Sequence, residues 1–160
     1  MQVVDRPPRP DHCGCNVFFA RATVVRHAAE LAAARAPGAG KVGYLAAEFE
    51  YPQRFDAIAG ERDLFGDARL VLVPLPGHTP GTIGALVETG RSGTFLLASD
   101  AVSLRATLDL DLMPKNTWNA DALHRTLAEI RRIEATGATV ICGHDDARWA
   151  SLRKGADAYD

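Results

Sequence analysis

The chain has 160 residues, enough for one globular domain with a real core and too few for two ordinary ones. With 47% hydrophobic residues, 24% charged residues and a formal net charge of -2, it lacks the basic bias expected of a binder of nucleic acid or of an anionic membrane. No stretch approaches the roughly eighteen uninterrupted apolar residues of a membrane span, and the first ten residues lack the apolar centre of a signal peptide. The expected location is the cytoplasm, and the odd set Cys13, Cys15 and Cys142 suits a reducing compartment.

In chain order, MQVVDRPPRP crowds prolines and arginines at its end and is expected to be extended, a poor sheet strand and a tail of residues 1–10. DHCGCN reads as a turn. VFFARATVVRH carries a β-branched run at Thr23, Val24 and Val25 that predicts a short strand, followed by a helix over Ala28 to Arg35 that Pro37, Gly38 and Gly40 end. Residues 41–68 have scattered aromatics without a period and are expected to form loops and short helix. Arg69 to Leu75, Thr82 to Glu88 and Thr94 to Ala98 are apolar runs of strand length between Gly/Pro turns, which predicts local antiparallel pairing. From Ala120 to Ala135, Leu123, Leu127, Ile130 and Ile133 make one apolar stripe, with Asn119 as N-cap and Gly137 just past the end. Thr139 to Cys142 is a buried strand, and DDARWASLRK a closing helix.

Four polar signals follow apolar strands or sit in Gly-rich turns: Asp11-His12, His78 in LPGHTPG, Asp100 in LLASDA and His144 in VICGHD. Loops at strand ends hold chemical groups on a rigid scaffold. Three imidazoles and two carboxylates suit Zn²⁺ better than the all-oxygen shells of Ca²⁺ or Mg²⁺. Any one of these residues alone reads more simply as a surface histidine, an Asx-turn or a cap, and their joint placement is the signal. His27 and His124 act as controls: one ends a strand, the other lies beside the stripe of the long helix, and both read as surface residues.

The segments LPGHTPGTIG, FLLASDAV and ICGHD, in that order after a DH-G turn, resemble the metallo-β-lactamase fold superfamily, and within it the N-acyl homoserine lactonase branch. EFEYPQRFD and GHDDARWASLRKGADAYD carry the same flavour, so the likeness runs from about Asp11 to the end. It implies an α/β fold of αββα sandwich type, of which residues 11–160 hold the C-terminal portion, mostly antiparallel strands with flanking helices. It implies two zinc ions. Asp11 and His12 match the last two positions of a His-x-His-x-Asp-His motif, His78 the third histidine of the first site, Asp100 the bridging carboxylate and His144 the last histidine of the second site. The second site, Asp11, His12, Asp100 and His144, is complete on paper, with Asp11 and Asp100 as the catalytic carboxylates.

The departures matter as much. The two leading histidines of the motif fall on Pro7 and Arg9; proline has no donor atom and guanidinium is permanently charged, so the first site keeps only His78 and Asp100. The family's first half has no counterpart before Asp11, for which a late start codon or a frameshift is one economical explanation, and a sheet missing those strands is expected to expose an apolar face that favours homo-oligomers. The position three residues after the bridging aspartate, often a tyrosine that polarises the lactone carbonyl, is Ser103, a shorter candidate for substrate binding. Cys13 and Cys15 are weighed as thiolate ligands but read more simply as small residues filling a turn, with Cys142 a buried strand residue. The implied function is a zinc-dependent hydrolase opening a small lactone or ester, as in quorum quenching, impaired by the lost histidines. The alternatives are a glyoxalase-II-like ester or thioester hydrolase and a non-catalytic metal-binding remnant.

Overall fold

The computed structural model describes residues 2–4, 10–155 and 157–160. Pro7 and Arg9, where the resemblance calls for histidines, lie outside them. Two sheets are present among the described residues, a three-stranded one in the order β1-β2-β3 and a five-stranded one in the order β4-β5-β6-β7-β8.

The first sheet holds β1 (Gln2–Val4), β2 (Thr23–His27) and β3 (Arg54–Ile58), and both of its pairings are parallel. Parallel neighbours need long crossovers. One of these contains the short helix α1 (Pro10–Cys13), the other contains α2 (Ala28–Arg35). The expectation of mostly antiparallel strands is therefore corrected for this half. The expectation of a poor sheet strand is corrected for residues 2–4, because Gln2, Val3 and Val4 register against Thr23, Val24 and Val25. So is the reading of residues 41–68 as loops and short helix: three-residue and four-residue 3-10 turns are there, but so is β3, whose five residues all pair with β2. The ladder to β2, a long-range contact, makes a strand of RFDAI where local composition is weak.

Alanine-rich α2 is a strong intrinsic helix former, and its boundaries match the predicted ones. His27 caps it, Nδ1 accepting the Ala29 N–H at 3.2 Å, so this histidine is engaged in local structure.

The second sheet comprises β4 (Arg62–Asp63), β5 (Leu70–Pro74), β6 (Ile83–Glu88), β7 (Thr94–Leu97) and β8 (Thr139–Ile141). Antiparallel pairing holds from β4 through β7, as the tight turns predict, and β8 returns parallel to β7. The return path carries α3 (Arg105–Asp109) and α4 (Ala120–Ala135), and α5 (Asp146–Ser151) closes the chain. In α4 the Asn119 side chain accepts the Ala122 N–H at 2.8 Å, and Gly137 takes φ +99° just beyond the end. Leu123, Leu127, Ile130 and Ile133 pack with Val73, Leu96 and Val140 of the sheet, and with Leu75 just past β5, in the main core. Each such side chain contributes about 1.5–3 kcal/mol on burial. Val25 and Ile58 of one sheet meet Leu72 and Ile83 of the other, joining the sheets face to face.

The large apolar side chains that reach solvent, such as Phe18, Val42, Leu110 and Trp118, sit in loops and short turns or, for Trp149, on α5. None of those described lies on a strand, so the expected exposed sheet face is replaced by apolar loop tips. Among the described residues no helix is long and apolar enough to cross a membrane.

Candidate metal centre

Because β5, β7 and β8 run in the same direction, their C-terminal ends lie along one edge of the sheet. His78 follows β5, Asp100 follows β7 and His144 follows β8, so three positions far apart in sequence converge there. Asp11 and His12 arrive from the other sheet on α1, a single helical turn where the composition suggested a plain turn.

Asp100 is the hub. Its carboxylate is 7% exposed, with Oδ2 2.9 Å from His12 Nε2 and 3.4 Å from His78 Nε2, and Oδ1 3.0 Å from His144 Nε2. Burial by itself would push the Asp100 carboxyl up, but the His12 hydrogen bond and the neighbouring His12, His78 and His144 imidazoles overcome it and hold the carboxyl down at about 2. Asp11, largely exposed, places Oδ2 3.5 Å from His12 Nε2 and 4.0 Å from His144 Nε2. Donor atoms of Asp11, His12 and His144 all lie within 4.8 Å of one another. Asp100 reaches two members of that group by hydrogen bonds rather than standing inside it.

Each contributor is held by its own element. The His78 loop is closed at its base by Leu75 N–H to Thr82 O at 2.8 Å and is gripped from α4's side, where the Trp118 and Asn119 N–H groups donate to Gly77 O at 2.9 and 3.1 Å. His144 donates its backbone N–H to Ser103 O at 2.9 Å, and Asp145 accepts the Arg105 N–H at 2.8 Å. Asp100 follows Ser99, a buried residue at φ +54°, a left-handed conformation that strains a residue with a Cβ. The Ser99 carbonyl is pressed against Gly143, where an added Cβ would sit 2.7 Å from Ser99 O and 3.1 Å from Asp100 Oδ1. Only glycine fits this seam. Neither Ser99 nor Gly143 was singled out in the sequence; the one available signal was the glycine directly preceding His144.

Ser103 is half-buried and lines a cleft of about 600 Å³ with Leu104, Met113, Lys115, Asn116 and His144. A second cleft of about 520 Å³ runs from His78 past Ala33, Pro37, Val42, Tyr44 and Trp118. Asn116 borders both. Of the cysteines, Cys13 is fully buried with Ala34, Tyr44 and Phe49, and Cys15 is exposed. Cys142 packs half-buried against the main core just after β8. His124 is exposed on α4, 3.5 Å from Asp111 and away from the cluster.

Three imidazole nitrogens and two carboxylates converging at strand ends form a donor set of the kind zinc takes. Over 168 aligned residues the chain is 34% identical to the N-acyl homoserine lactonase AttM of Azorhizobium caulinodans, covering 94% of this chain and 60% of that protein. It is 31% identical to the N-acyl homoserine lactonase AttM of Rhizobium johnstonii, covering 93% of this chain and 59% of the relative. The chain thus spans about three-fifths of the length of these relatives. Among solved structures, an N-acyl homoserine lactone hydrolase with N-hexanoyl-L-homoserine bound at its catalytic metal centre superposes with a TM-score of 0.87 at 20% identity, over 99% of this chain and 61% of that one. Residues 10–153 match the family profile described as the metallo-beta-lactamase superfamily, to which the chain belongs.

Proposed function

We propose that the chain is a zinc-dependent hydrolase that opens the ring of an N-acyl homoserine lactone or a closely related ester. The observation that carries this reading is the convergence of His12, His78 and His144 Nε2 on the buried Asp100 carboxylate, with Asp11 alongside. Asp11, His12 and His144 would hold one zinc together with Asp100, and His78 with Asp100 would give a second, thinner position. Bound zinc supplies Lewis acidity, lowering the pKa of a coordinated water from about 15.7 toward 7.

The chain's own residues do the rest. Asp100, kept deprotonated by its imidazole neighbours, turns its two oxygens toward the same space as the His12, His78 and His144 Nε2 atoms, as ligands of a shared metal would. Asp11 is exposed and can accept a proton from water at the mouth of the site. The two clefts, each within the range of about 300–1,000 Å³ typical of small-molecule sites, are both bordered by Asn116; the one beside His144, with Ser103 and Asn116 as polar contacts, would take the lactone ring, and the one beside His78 is available to an acyl chain. Relatives named N-acyl homoserine lactonase support the substrate class.

The test is metal analysis of the purified chain together with lactone opening followed by proton release at pH 7. About one tightly held zinc and measurable opening of an acyl homoserine lactone are expected. Substoichiometric zinc and no opening would refute the reading and leave a non-catalytic metal-binding remnant, which Pro7 and Arg9 favour.

A further inference from the structure

A buried acidic residue that the site chemistry does not use lies directly behind the His78 loop. Glu30, in the first turn of α2, is 0% exposed. Its Oε2 accepts the Gly81 N–H at 2.8 Å, and its Oε1 accepts the Tyr44 hydroxyl at 3.0 Å. The contact with the loop is as close as backbones allow: a Cβ at Gly81 would stand 2.4 Å from Glu30 N and 2.6 Å from Glu30 Cβ. Gly81 ends the five-residue turn that begins at Gly77 and carries His78, and the Thr79 hydroxyl in that turn is hydrogen-bonded to the Thr82 hydroxyl just beyond it at 2.7 Å. The loop is therefore gripped from two sides, by α4 through Gly77 O and by α2 through Gly81 N–H.

We propose that Glu30 is a positioning residue that sets the orientation of His78 through its hydrogen bond to Gly81. The alternative for a fully buried carboxylate is charge balance. Arg26, also fully buried, lies with its guanidinium 5.2 Å from the centre of the Phe49 ring and 5.3 Å from that of Phe55, and the Glu30 charge favours its cationic form. The two roles call for different properties of the side chain. Positioning needs an acceptor at full glutamate reach, while charge balance needs a negative charge at about that place.

Glu30→Gln keeps the reach and removes the charge. Glu30→Asp keeps the charge and withdraws the acceptor by about 1.5 Å, one carbon–carbon bond, which takes it out of hydrogen-bond range of Gly81. The measurement is the imidazole ¹H–¹⁵N correlation spectrum of the metal-free 160-residue chain with hydrogen exchange at the Gly81 amide, followed by zinc competition titration. In Glu30→Asp the His78 signals should shift or broaden while those of His12 and His144 change less, Gly81 exchange should quicken, and the affinity of the weaker zinc position shared by His78 and Asp100 should fall about tenfold or more. Glu30→Gln and Tyr44→Phe should resemble the parent at His78. An unfolded Glu30→Asp beside a folded Glu30→Gln also supports reach over charge. A parent-like Glu30→Asp, or a Glu30→Gln that is unfolded or disturbed at His78, overturns the proposal. The zinc part rests on the reading of His78 as a ligand: a parent chain that takes up no second, weaker zinc refutes that reading, whereas the metal-free spectrum still tests Glu30.

Discussion

Replacing Gly143 by alanine probes how tightly the strand ends hold the site. The new Cβ would lie 2.7 Å from Ser99 O, 3.0 Å from Ser99 C and 3.1 Å from Asp100 Oδ1, against 3.4 Å for an ordinary contact. The Ser99 carbonyl would thus have to retreat by 0.7 Å, the difference between 3.4 and 2.7 Å. Retreat is hard, because Ser99 is already in a left-handed conformation and Gly143 N–H is bonded to Val102 O at 3.0 Å. Overpacking of this kind costs about 1–3 kcal/mol. In a domain of this size that is about 2–4 °C of Tm per kcal/mol, so a fall of about 2–12 °C is expected in thermal melts of the metal-free chain. Since the displaced atoms include the residue before Asp100 and one of its oxygens, zinc affinity by competition titration should fall at least about tenfold, and activity by as much as about a hundredfold. A Gly143→Ala chain with unchanged Tm and parent-like zinc affinity would refute the claim that this seam fixes Asp100.

Four further outcomes follow from the geometry. The Asp100 carboxyl is depressed from 3.8 to about 2, so its contribution to stability is present above about pH 4 and is lost as the pH falls toward 2; Asp100→Asn should lower Tm at pH 7 and flatten the acid limb of the stability curve, and an unchanged limb would count against the hub assignment. The Cys13 thiol is pushed up to about 12 by burial, with Glu48 adding to the rise, so at pH 8 an alkylating reagent should label exposed Cys15 and leave Cys13 unmodified until the chain unfolds, as mass spectrometry of the peptides would reveal. Asn119→Ala removes the N-cap bond to Ala122 and should destabilise the chain by about 1 kcal/mol, a Tm shift of about 2–4 °C; no shift would mean the cap is redundant. His12→Ala should abolish stoichiometric zinc binding while His124→Ala keeps it, and equal effects of the two would break the distinction between cluster and control.

Local signals made much of this molecule legible. The stripe of Leu123, Leu127, Ile130 and Ile133 gave α4 to the residue, because helix formation there depends on a cap, a period and a terminating glycine that all lie within the segment. The turns between β5, β6 and β7 were equally local, and so was their antiparallel pairing. What escaped was built by distant partners. Gln2–Val4 and Arg54–Ile58 become strands only by pairing on either side of Thr23–His27, and neither segment carries a strong strand signature of its own.

The same division runs through the site. His78, Asp100 and His144 stood out because each sits just past a recognisable strand, and the sheet then carries all three ends to one edge. Asp11 and His12 stood out through their motif rather than through a strand, and the structure brings them to the same place from the other sheet. Glu30, Ser99 and Gly143 were silent, since a glutamate in an alanine-rich helix and a serine before an aspartate look like ordinary surface choices. Their importance exists only across the fold: Glu30 meets a loop 51 residues away, and Ser99 meets a glycine whose missing side chain can be noticed only when the two backbones are already in contact. Candidate metal-binding groups are therefore easier to find in a sequence than the residues that would aim them, because candidate ligands are restricted in chemical type while their supports are restricted only in position.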